Sequence, residues 1–136
     1  MHGFDVEPEV EVFVAFEFAG LVQYTLQLAH PDSGGDWILE KAIQPSGKSS
    51  DPAQPSRYSL GKLKSGDRRR VVIDCVMRTP ETTGSVKLGV KLFQLKGDKE
   101  KEIGGPEPLE TEITDGKDFR PPTLRLQLTA VSGTLR

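Results

Sequence analysis

Apolar side chains recur at every second position through most of this chain. Val10, Val12, Val14, Phe16 and Phe18 do so, as do Val71, Ile73, Cys75 and Met77, then Val86, Leu88, Val90 and Leu92, then Leu124, Leu126 and Leu128. Successive side chains of a strand point to opposite faces, so each run predicts a strand with one buried and one wet face. The pattern predicts an all-β fold, a single antiparallel β-sandwich of about eight strands over residues 1–136, with no helix and no internal repeat.

The first run predicts one strand from Val6 to Phe18, its even positions buried and Glu7, Glu9, Glu11 and Glu17 on the other face. Phe13 and Ala15 interrupt that acidic face, which puts the strand inside a sheet rather than at its rim. Gly20 breaks the run and Leu21 to Leu28 resumes it, so the two strands read as a hairpin. Turn formers crowd His30 to Asp36 and mark a loop. Trp37 to Ile43 reads as a third strand with Trp37, Leu39 and Ile43 on one side. The segment from Gln44 to Ser56 holds three prolines and no periodicity, and reads as a long flexible loop. Tyr58 to Leu63 is a short strand ending at Ser65-Gly66-Asp67, followed by long strands from Arg68 to Met77 and Ser85 to Leu95. Alternation shifts phase at Phe93, which predicts a bulge that sends Phe93 and Leu95 to the face of Leu88 and Val90. Leu109 to Ile113 reads as an edge strand and Thr123 to Val131 as the last strand.

The stretch Tyr58-Ser59-Leu60-Gly61-Lys62-Leu63-Lys64-Ser65-Gly66-Asp67, followed by Val71-Val72-Ile73 and Thr83-Gly84-Ser85-Val86-Lys87-Leu88-Gly89-Val90, resembles the second half of immunoglobulin-like adhesion and adaptor modules. The resemblance covers about forty residues and implies an immunoglobulin-like sandwich in the broad sense. The cysteine pair and core tryptophan of true immunoglobulin domains are absent, since Cys75 stands alone and Trp37 lies well before it. The strand count is also similar to that of the synaptotagmin-type lipid-binding sandwich, without that family's clustered calcium-binding aspartates.

Composition narrows the picture further. A chain of 136 residues, 35% apolar and 28% charged, can bury enough surface to fold as one domain without metal or disulfide. Cys75 falls on the apolar face of its strand and reads as a buried, inert thiol. No apolar run approaches the roughly 18 to 20 residues that span a membrane, and the start lacks the order of a secretory signal, so a cytoplasmic location is expected. The net charge of −2 conceals an uneven distribution. The first forty residues carry eight acidic side chains and no lysine or arginine, whereas Lys41 to Lys101 holds fourteen basic residues against six acidic.

Few motifs carry chemistry. Ala42-Ile43-Gln44-Pro45-Ser46-Gly47-Lys48-Ser49 matches a relaxed phosphate-loop spacing, but Pro52 and Pro55 forbid the helix such a loop must open, and Ala42 replaces its leading glycine. Asp32, Asp36 and Glu40 could offer oxygens to calcium, yet two aspartates around Gly34-Gly35 are ordinary turn formers. His2 and His30 are too few for a zinc site, so no metal, cofactor or catalytic residue is expected. The sharpest binding feature is the basic cluster of Lys62, Lys64, Arg68, Arg69 and Arg70 around one turn, read as a hairpin tip that pairs with Glu7, Glu9 or Glu11 or meets a partner. The expected function is therefore a non-enzymatic protein-interaction module, an adaptor or assembly unit that docks a protein partner or self-associates. The alternative is a peripheral module for anionic lipid. Nucleic acid is disfavoured, because only Tyr58 could offer stacking near the cluster.

Overall fold

A computed structural model describes residues 2–48 and 57–132. It is all-β, with ten strands in two mostly antiparallel sheets: β1 (His2–Val6), β2 (Val12–Ala19), β3 (Leu21–Pro31), β4 (Trp37–Lys48), β5 (Arg57–Gly61), β6 (Arg68–Arg78), β7 (Gly84–Lys96), β8 (Lys99–Gly104), β9 (Leu109–Ile113) and β10 (Leu124–Ala130). One sheet has the order β1-β10-β6-β3-β4, its β1 parallel to β10. The other has the order β5-β2-β7-β8, with β9 also on β7. The even-numbered apolar positions of β2, β3, β7 and β10 and the odd ones of β6 meet in one core between the sheets. Tyr24, Leu26, Ile73, Met77, Leu88, Leu92, Leu126 and Leu128 are its largest buried members.

Several expected connections change. Val6 to Phe18 is two strands, not one, because the chain turns at residues 7–11, where Glu9 adopts φ 64°. Gln94, buried at the end of the core, fixes this corner. Its side-chain oxygen accepts the Glu7 N–H at 2.9 Å, and its amide donates to the carbonyls of Glu7 at 2.9 Å and Val10 at 3.0 Å. The hairpin expected of β2 and β3 is instead a step between sheets at Gly20, where φ is 74° and an added Cβ would lie 2.7 Å from Val86 Cγ1. The Ser65-Gly66-Asp67 turn likewise carries the chain from one sheet to the other, so the basic cluster is not a hairpin tip.

The expected loop from Gln44 to Ser56 is strand as far as Lys48, and 49–56 lie outside the described residues. Pairing of β3 with β4 shifts register at three places, which erases the period of two, and Pro45 is tolerated because β4 is an edge strand. The same shifts separate Trp37 and Leu39 from Ile43: Ile43 packs against the core, while Leu39 is 55% exposed. The expected irregularity near Phe93 exists, but on the side of β8, whose pairing with β7 shifts between Leu92 and Phe93. Pairing of β7 with β2 stays continuous, so Phe93 keeps to the outer face and stacks on Phe13 at 5.3 Å, under the Arg57 guanidinium at 4.2 Å. That contact explains the apolar Phe13 between Glu11 and Glu17, and β2 does lie between two strands, β5 and β7.

Candidate functional site

The core face of β6 is formed by Val71, Ile73 and Met77, so Arg68, Arg70 and Val72 belong to the outer face of their sheet. β6 is the central strand there, flanked by β10 and β3. Register places Arg70 between Gln127 on β10 and Ala29 on β3, and Ala29 opposite Leu39 on β4. Val72 lies opposite Arg125, which makes Arg125 a diagonal neighbour of Arg70 at roughly 7–8 Å between backbones. Trp37, two residues before Leu39, occupies the same face. The Arg70 guanidinium sits 4.0 Å from the centre of its ring and the Arg68 guanidinium 6.0 Å from it. Arg70 reaches Trp37 across Ala29, whose small side chain leaves room for the stack and is buried beneath it.

Ion pairs engage some arginines of the chain and not others. Arg57 pairs with Glu100 at 3.0 Å, Arg69 with Glu40 at 3.1 Å and Arg78 with Asp118 at 2.9 Å. Among the described residues, Arg68, Arg70 and Arg125 have no carboxylate within ion-pair distance. Arg70 Nε is buried without an acceptor. Burial, reinforced by the charge of Arg125, lowers the Arg70 pKa from its ordinary value, so the guanidinium is held in place against an electrostatic cost. The ring face of Trp37 offsets part of that cost through cation–π attraction. Asp5 lies on the edge strand β1, and Asp74 on β6, diagonal to Arg125, accepts the Thr123 hydroxyl.

The cluster read from sequence is thus divided. Arg68 and Arg70 share the outer face, whereas Arg69 turns to Glu40 and to Asp67 at 3.8 Å. Lys62 and Lys64 are exposed on the segment between the sheets, where Leu63 plugs the core. The acidic residues do not answer the arginines: Glu7 pairs with Lys96 at 3.0 Å, and Glu11 accepts the Ser59 hydroxyl. Glu9 meets the basic segment through its backbone, its N–H donating to the Leu63 carbonyl at 2.8 Å. Sequence reading missed Trp37 and Arg125 as site residues. Alternation marks Arg125 as outward, between Leu124 and Leu126, but which outward residues become neighbours depends on strand order, which no local pattern records.

Other candidates resolve into structural roles. The Asp32 carboxylate accepts the N–H groups of Gly34 at 2.8 Å and Asp36 at 2.9 Å, closing its turn, and Glu40 lies against Arg69 and His30. Among the described residues no group of three acidic, histidine or cysteine side chains is placed to hold a metal ion. The residues of the nucleotide-loop spacing that are described, Ala42 to Lys48, continue β4 rather than opening a helix. Cys75 is half-buried, and burial followed by the charge of Asp74 pushes its pKa up to about 11. Among the described residues, no helix is long and apolar enough to cross a membrane. Compared with known proteins, the chain matches no family model, and no curated protein or solved structure matches it significantly.

Proposed function

We propose that this protein is a non-enzymatic interaction module that docks an acidic segment of a partner protein on the outer face formed by β10, β6, β3 and β4. One observation carries the reading: three arginines share a sheet face with an aromatic anchor and have no carboxylate of their own among the described residues. An aromatic ring with arginine beside it is the composition that interfaces favour, and the exposed Leu39 extends it with apolar surface. A broadly immunoglobulin-like sandwich is part of the proposal, supported by the way β2 to β3 and β6 to β7 step between sheets. A cytoplasmic setting accords with the free thiol of Cys75.

Trp37 is the one tryptophan in the sequence, so its emission reports directly on this face. Titration with a glutamate-rich peptide is expected to give a saturable change in that emission, weakened by salt and abolished in Arg68→Glu/Arg70→Glu. Calorimetry showing no binding would overturn the reading. Tighter binding to anionic vesicles than to the peptide would replace the protein partner with a membrane surface.

A further inference from the structure

We infer that the arginine face selects a phosphorylated side chain within its acidic partner segment, the phosphoryl group lying between Arg70, Arg125 and Arg68. The inference rests on the docking reading above and adds the chemistry of the group recognised. Arg68 and Arg70 are two residues apart on one face of β6, roughly 7 Å along the strand, and Arg125 is diagonal to Arg70 on β10. Arg125 is near enough for its charge to act on Arg70, its long side chain can reach toward β6, and the Trp37 stack fixes Arg70 before any ligand arrives. A fixed guanidinium loses less freedom when it forms hydrogen bonds to an oxyanion.

Charge decides between a carboxylate and a phosphoryl group. Three unpaired guanidiniums present three positive charges and a surplus of N–H donors, and one carboxylate offers one negative charge and two oxygens. A phosphoryl ester carries about −1.5 to −2 charge at neutral pH and three acceptor oxygens, so it matches the site far better. The neighbours agree with this. Gln127, opposite Arg70, supplies an uncharged amide, and the Asp74 carboxylate, the other diagonal neighbour of Arg125, already accepts the Thr123 hydroxyl.

The test compares one glutamate-rich peptide with a central serine in two forms, phosphorylated and unphosphorylated, by Trp37 emission and calorimetry. The phosphorylated form is expected to bind at least about tenfold more tightly, a ratio that Arg125→Gln reduces to near unity while the circular dichroism of the variant stays native. Inorganic phosphate is expected to displace the phosphorylated form. Equal affinity of the two forms would overturn the phosphoryl inference and leave the docking reading standing. Failure of both to bind would overturn both.

Discussion

Replacing Gln94 by alanine should unlock the corner that joins β1 to β2. Its buried amide makes three hydrogen bonds to backbone, one from Glu7 N–H and two to the carbonyls of Glu7 and Val10, all between 2.9 and 3.0 Å. At about 1 kcal/mol net for each bond, and with water able to reach part of the opened corner, the loss is about 2–3 kcal/mol. For a chain of this length that corresponds to a fall of roughly 8 °C in Tm. Urea unfolding followed by far-ultraviolet circular dichroism measures the loss, and hydrogen exchange at the Glu7 amide should accelerate more than at amides of β6. Gln94→Glu adds a diagnostic pH dependence. Its carboxylate faces two carbonyl oxygens, so the folded state favours the protonated acid and raises the folded pKa above the unfolded value of about 4.3. Stability of that variant is therefore greatest below the unfolded pKa and is lost as pH rises through the folded one. A destabilisation by Gln94→Ala under about 0.5 kcal/mol would refute the reasoning, because it would mean that water replaces the amide at no cost.

The buried hydroxyls of Tyr24 and Tyr58 meet at 2.6 Å, so Tyr24→Phe and Tyr58→Phe should each cost about 1–3 kcal/mol in urea unfolding, while the double variant costs less than the two together. With its pKa pushed up to about 11 from 9.0, Cys75 should react with iodoacetamide about 100-fold more slowly than an ordinary thiol at about pH 8, its rate climbing until pH reaches that pKa. Unfolding in urea should abolish the difference. Light scattering at low and high salt should give the monomer mass of 14.9 kDa in both, because Glu7 and Glu11 are already engaged within the chain. A dimer that salt dissociates would make a second copy the occupant of the arginine face.

Alternation alone located most strands within a few residues: Leu109–Ile113 is reproduced in full, and the strands through Ile73, Leu88 and Leu126 are displaced only at their ends. These strands are half-buried, so the core writes its period directly into the sequence. Trp37–Lys48 was legible only to Ile43, because an edge strand with three register shifts need not keep the period. β8 was missed because its exposed, charged residues bury almost nothing. Turn chemistry identified where the chain reverses, at Gly20 and at Ser65-Gly66-Asp67, but not whether it returns to the same sheet. That distinction depends on contacts far apart in sequence. The site follows the same logic: Arg68 and Arg70 stood out as a run, whereas their partners Trp37 and Arg125 come from strands remote along the chain. Only the order β10-β6-β3-β4 brings them together.

The most direct test is an amide and side-chain nitrogen–proton spectrum recorded while the glutamate-rich peptide is added. The account predicts shifts concentrated at the Trp37 indole, the Arg68, Arg70 and Arg125 guanidiniums and the amides of Ala29, Val72 and Gln127, with β5, β8 and β9 unmoved. Shifts centred on Lys62 and Lys64, or on the opposite sheet, would contradict it.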